Sequence, residues 1–336
     1  MSFLEDHLQA KVSRRDVLGY GVAGGLSLLG LGACGGQSGQ QSTSTSNAAP
    51  IPVRVGTLKL QHLIQPYFYQ QFAGSKYNIQ ISTFALSAEA RDALVNRSLD
   101  FLVIGHTVLL PAVQSSLPIT MVALCCNGGA ALISKAGGPV KGLSDLAGKK
   151  VGLARATPQD VMTRYLLKSN GLDSKVQYVQ TPLADMRNAL ATGQIDVYCG
   201  AEPTPSMDLV EGKGQLVVPP TQLYSTPAHD LNAGLGVSVD FMNQKPDVVK
   251  DIVSYHFKAN DFMKTHTDSW FSKTSELTGS TTEVCKKAAE NITLVSAIDD
   301  KIVKETQDFA TALKAEGYLQ GDVDMKKYYT TKFQPK

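Results

Sequence analysis

The chain is poor in charge, and poorer still in charge of one sign. Only 18% of its 336 residues are charged, and the net charge is +2. Such a balance argues against a partner in nucleic acid or in an anionic membrane surface. Cysteine occurs five times with no CxxC pair, so neither a disulfide scaffold nor a cysteine-based metal finger is encoded. No nucleophile elbow, phosphate-binding glycine loop or metal-ligand spacing is present, and no metal or cofactor is expected. Apolar runs are short. Val17 to Leu31 falls below the roughly 20 residues that span a bilayer core, and no run of that length follows it. What remains is a 43% hydrophobic chain, long enough for about two domains.

A repeat is the strongest internal feature. Arg91-Asp92-Ala93-Leu94 leads to Leu99-Asp100-Phe101, and Arg187-Asn188-Ala189-Leu190 leads to Ile195-Asp196-Val197, 96 residues later (187 − 91). The same offset maps Val55-Gly56 onto Val151-Gly152. A unit of that length exceeds the roughly 20–50 residues of a solenoid repeat. Two similar α/β lobes with a ligand cleft between them are predicted.

Residues 1–33 read as an export signal. Ser13-Arg14-Arg15-Asp16-Val17-Leu18 resembles the twin-arginine motif, and Leu31-Gly32-Ala33-Cys34 resembles a lipobox. Cleavage before Cys34 would leave a lipidated cysteine. Residues 34–50 are Ser-, Gln- and Gly-rich and uncharged beyond it, as a flexible tether is. These pieces predict a periplasmic body, exported folded and held at a membrane through Cys34. Three bases and three acids precede Cys34, so the mature charge stays at +2. Cys125, Cys126, Cys199 and Cys285 read as buried thiols, with a Cys126–Cys199 or Cys125–Cys285 bridge as the oxidised alternative.

Short apolar strands alternate with helices. Strands are predicted at 53–58, 77–84, 100–104, 120–126, 130–134, 151–154, 197–200 and 232–239, and the alternation predicts parallel sheets. Ser87 and Thr157-Pro158 read as helix starts, and Thr181-Pro182 as a third. Helices are predicted over 246–265, 281–292 and 299–316. The chain passes from lobe I to lobe II near 127–130 and returns near 230–236. Two crossings make a hinge.

The segment Leu143-Ser144-Asp145-Leu146-Ala147-Gly148-Lys149-Lys150-Val151-Gly152, with Gly171-Leu172, Gly193-Gln194-Ile195-Asp196 and Glu202-Pro203, carries a family signature. The chain resembles the periplasmic solute-binding proteins of ABC importers, in the nitrate/sulfonate/taurine/bicarbonate group to which thiamine-pyrimidine-precursor binders are related. That resemblance implies the type II periplasmic binding protein fold, with two Rossmann-like α/β lobes and a two-strand hinge. Lobe I would comprise 51–128 and 232–336, and lobe II 129–231. It also implies a monomer that delivers a small ligand to an inner-membrane permease and does no chemistry. An exported sensor or an enzyme related to pyrimidine-precursor synthesis is the alternative.

Ligands in open α/β sheets sit beyond the carboxyl ends of the strands. That rule nominates Lys59, His62, Ser87, His106, Thr107, Asn127, Arg155, Thr157 and Glu202, and Asn232 joins them at the entry to the returning strand. The helix starts at Ser87 and Thr157 suit an anionic or carbonyl oxygen. Arg155 is placed to pin an anion, whereas Glu202 in the cleft would oppose one. Their mixture predicts an organic ligand with polar ends.

Overall fold

The computed structural model describes residues 49–225 and 229–336. The twin-arginine motif, Cys34 and almost all of the tether lie outside those residues. Eleven strands are formed among the described residues: β1 (Ile51–Leu58), β2 (Tyr77–Phe84), β3 (Phe101–Gly105), β4 (Ile119–Gly128), β5 (Ala130–Lys135), β6 (Lys150–Leu153), β7 (Gln177–Gln180), β8 (Val197–Ala201), β9 (Gly214–Leu216), β10 (Leu231–Ser238) and β11 (Ile292–Leu294). They build two sheets. One has the order β11-β4-β10-β3-β1-β2, the other β7-β6-β8-β5-β9.

Neither sheet is purely parallel, which corrects the expectation from alternation. β2, β1 and β3 run parallel, as do β7, β6 and β8. β10 is antiparallel to both β3 and β4, and β5 is antiparallel to β8 and β9. The reason is connectivity. β4 and β5 form one extended ribbon, interrupted only at Gly129, that carries the chain from one sheet to the other. β10 brings it back beside β4, with Leu231 opposite Asn127. On the outward path only Gly129 separates β4 from β5; on the return path the short helix Pro220–Tyr224 precedes β10. Every residue of β4 and β10 is buried, so these strands read as apolar runs without alternation.

The repeat in the sequence is a repeat of structure. Asp100 Oδ2 accepts from the Arg54 N–H at 2.8 Å, and the Asp100 N–H donates to the Arg54 carbonyl at 2.9 Å. Asp196 makes the same two bonds to Lys150, at 2.8 and 2.9 Å. Each aspartate pins the start of the neighbouring parallel strand. Gly56 and Gly152 are equivalent in the same way. A Cβ on Gly56 would run into Leu99, and one on Gly152 into Ile195.

The carboxy-terminal helices pack on the six-stranded sheet. Helix Pro246–Thr265 has the predicted bounds, and Thr281 and Asp299 cap the next two predicted helices through their side chains. Helix Thr267–Thr278 was not anticipated. Its Trp270 Nε1 donates to the Gln61 carbonyl at 2.9 Å, and Gln61 Nε2 donates to the Cys285 carbonyl at 2.7 Å. These two bonds fix the turn after β1, which carries His62. The four described cysteines are free and buried, so neither alternative bridge forms.

Candidate functional site

The strand ends of both sheets meet around a cavity of about 50 Å³. The turn after β1 contributes His62. The helices Ser87–Val95 and His106–Gln114 contribute Ser87 and Thr107, and β10 contributes Asn232. From the other sheet come Thr157, Pro158 and Gln159, at the start of helix Pro158–Ser169, and Ala201 at the end of β8. Five of the ten nominated side chains therefore converge: His62, Ser87, Thr107, Thr157 and Asn232.

Local chemistry explains each placement. Thr157 caps its helix, accepting the Asp160 N–H at 3.3 Å and donating to the Ala154 carbonyl at 2.7 Å. Pro158 follows at the first helical position, where its missing N–H costs nothing. Ser87 is the first residue of its helix, after Leu86, and makes no cap bond. Thr181 likewise caps nothing: its hydroxyl turns back to the Val179 carbonyl, and the helix proper starts at Met186. Asn232 Nδ2 donates to the Gly128 carbonyl at 2.5 Å. Gly129 has φ 75°, and a Cβ there would stand 3.2 Å from His62 Nδ1 and 3.5 Å from Asn232 Nδ2. The crossing glycine thus lets His62 and Asn232 come together.

The cavity wall contains no Asp, Glu, Lys or Arg. His62 is 1% exposed, and burial pushes its imidazole down to about 4, so it is neutral at pH 7. Its Nδ1 has no hydrogen-bond partner. Three helices of nine, nine and twelve residues begin at this cavity. Their free N–H groups and dipoles put positive potential on a wall without formal charge. Asp160, in the first turn of the third helix, is itself balanced by Arg164 Nε at 2.7 Å.

The other five nominated residues lie elsewhere. Lys59 and Arg155 are exposed. Arg155 lies over the Tyr318 ring, 5.6 Å from its centroid. His106 is fully buried behind the cavity, with Nδ1 2.8 Å from the Tyr328 hydroxyl. Asn127 Nδ2 donates to Asp230 Oδ1 at 3.2 Å. Glu202 turns away from the cleft and lies behind the crossing. With Arg155 and Glu202 both outside the cavity, the charge argument for a ligand with two polar ends falls away. Gln159, at the second helical position and 3% exposed, lines the cavity and was missed as a residue. It follows Thr157 by two residues, and nothing in the sequence singles it out.

Larger depressions exist, including one of about 510 Å³ beside Lys135 and Arg187. There Arg187 is already spent on Asp208 and Glu211, each at 2.7 Å. No strand ends converge on it.

A family model described as NMT1-like matches residues 48–270. The chain belongs to the NMT1-like family. Its fold is the periplasmic binding protein fold, and solved structures share it. The alkanesulfonate-binding protein SsuA from Xanthomonas axonopodis pv. citri, solved bound to MOPS, superposes with a TM-score of 0.73 at 15% identity, covering 84% of this chain and 99% of that one. The periplasmic nitrate-binding protein NrtA from Synechocystis PCC 6803 gives 0.67 at 18% identity, over 85% and 88%. The desulfurization enzyme DSZB gives 0.63 at 13%, over 84% and 97%. No curated protein sequence matches this NMT1-like chain. Among its described residues no helix is long and apolar enough to cross a membrane.

Proposed function

We propose that this chain is the solute-binding component of an ABC importer. It would be exported by the twin-arginine route, anchored in the periplasm through Cys34, and work as a monomer that hands its ligand to a permease. Residues 51–128 and 232–336 form lobe I and residues 129–231 form lobe II. The two close on a small oxyanionic ligand such as a sulfonate, nitrate or bicarbonate. One observation carries this reading: three helix N-termini, contributed by both sheets, meet at a buried wall with hydroxyl, amide and neutral imidazole groups and no charged side chain. A carboxylate there would repel an oxyanion, and none is present on the wall. A volume of about 50 Å³ is far below the roughly 300–1,000 Å³ of ordinary ligand pockets. Ligand entry therefore requires the lobes to part, and closure follows binding.

The likeness to SsuA and NrtA favours transport, and the likeness to DSZB raises the enzymatic alternative. The described cysteines stay outside the cavity wall, which leaves hydroxyls and one imidazole without a paired base. Binding without turnover fits that set better. The test is a thermal-shift panel of nitrate, bicarbonate, methanesulfonate, taurine and MOPS. At 100 times its Kd a ligand adds about 2.7 kcal/mol, which moves the Tm of a chain this size by about 5 °C. No shift with any member of the panel would defeat the proposal.

A further inference from the structure

Behind the crossing, opposite the cleft, lies a second cavity of about 410 Å³. Asn291 lines it, between helix Thr282–Ala289 and β11. Its backbone carbonyl accepts the Gly129 N–H at 2.7 Å. Its Nδ2 donates to the Ala130 carbonyl at 2.8 Å and to Glu202 Oε1 at 3.3 Å. Its Oδ1 accepts from the Tyr224 hydroxyl at 2.6 Å. Glu202 closes the ring, since its N–H donates to the Gly129 carbonyl at 2.9 Å and its Oε2 accepts the Ser206 N–H at 3.2 Å. Gly128 and Gly129 hold φ of 74° and 75°. The only residue between β4 and β5 is thus gripped on both its N–H and its carbonyl by one cluster. Helix Thr282–Ala289, ahead of Asn291, also packs on helix Thr204–Val210, which follows Glu202.

We propose that Glu202, Asn291 and Tyr224 form a proton-linked latch on the crossing, which sets from outside the cleft how readily the two sheets part. Its consequence for ligand affinity rests on the solute-binding reading; the latch itself does not. Glu202 is 2% exposed, and burial raises its carboxyl to about 7, partly offset by the bonds from Ser206 and Asn291. Lys287 faces it from helix Thr282–Ala289, but Lys287 is paired with Glu290 at 2.7 Å. Tyr198 and Tyr224 adjoin it, and Asp230 shares the cavity wall. The sign follows from linkage. Opening the latch hydrates Glu202 and returns its carboxyl toward 4.5. Protonation then favours the buried, latched state, and ionisation favours the open one. Rising pH between about 4.5 and 7 loosens the crossing.

The test is amide hydrogen exchange of the full chain at pH 5 and pH 8, corrected for intrinsic rates. Wild-type protection at Gly128 and Gly129 should fall about tenfold or more over that range, since each unit of pKa separation is a factor of ten. In Glu202→Gln it should stay flat. Asn291→Ala keeps the backbone carbonyl that accepts the Gly129 N–H but removes the side-chain bonds to Tyr224, Ala130 and Glu202, so protection should be lower than wild type at pH 5, while Val55 and Leu102 in the sheet centre keep theirs. A wild-type profile independent of pH, a Glu202→Gln profile that still falls, or a fall shared equally by Val55 and Leu102 would overturn the latch. Calorimetry with methanesulfonate separates the two readings. Tighter binding at pH 5 than at pH 8 in wild type, but not in Glu202→Gln, is the expected result. No binding with the exchange pattern intact would count against the ligand reading and support the latch alone.

Discussion

Replacing His62 with leucine should make the protein more stable while destroying its cleft. His62 is buried, its Nδ1 is unpaired, and its imidazole is held down to about 4. An unsatisfied buried polar atom costs about 1–3 kcal/mol. Leucine removes that atom, so at pH 7.5 the variant should gain roughly that amount. The gain should grow in acid. Between about 4 and 6.5 the unfolded chain binds a proton at this position and the folded chain does not, so the wild type loses stability as pH falls through the window. At pH 5 the difference spans about 1.5 pH units, or about 2 kcal/mol. His106 and His256 are also buried and held low, to about 3 and about 4. They are common to both proteins and cancel in the difference. The assay is urea denaturation of both proteins at pH 7.5 and pH 5. With an m-value near 3 kcal/mol/M, the acid increment alone should move the midpoint by about 0.7 M. A variant less stable at pH 7.5, or one whose advantage fails to grow at pH 5, would refute the reasoning. Stability gained at the expense of binding is what a functional site under strain should show.

Two further predictions concern the crossing and the cavity wall. Gly128→Ala places a Cβ 2.5 Å from the Asn291 carbonyl oxygen at a φ of 74°; it should lose about 2 kcal/mol or more in denaturant melts, and an unchanged midpoint would contradict the described crossing. Thr157→Val should cost about 1 kcal/mol of stability through the lost cap and weaken a bound oxyanion about tenfold, whereas Arg155→Ala and Lys59→Ala should leave its affinity within about twofold; calorimetry that reversed this order would move the site.

The local devices of this chain were legible because they act over a few residues. Thr157-Pro158, Pro246, Thr281 and Asp299 each start or cap a helix by chemistry that needs only the next turn. Helix Thr267–Thr278 was missed because no Gly or Pro marks its start; it is set off only by a change of backbone angle at His266, φ −122° and ψ 60°. The cavity was half legible. Position at the end or entry of a strand nominated ten side chains, and it cannot say which way each one turns. His106 and Asn127 follow or end strands as His62 does, yet one bonds Tyr328 and the other Asp230. Those partners come from distant parts of the chain.

By itself, then, the sequence determined the doubled α/β design. Asp100 and Asp196 reach back 46 residues to the start of a neighbouring strand, and Gly56 and Gly152 clear space for Leu99 and Ile195. Both recur because the repeat keeps the same residue types at the same spacing in each lobe. Only the tertiary structure decided that β4 and β10 run antiparallel through the crossing, that the cavity wall is free of formal charge, and that Glu202 grips the crossing from behind. These outcomes follow from packing between segments far apart in sequence, where burial and hydrogen-bond satisfaction choose the partner of each side chain.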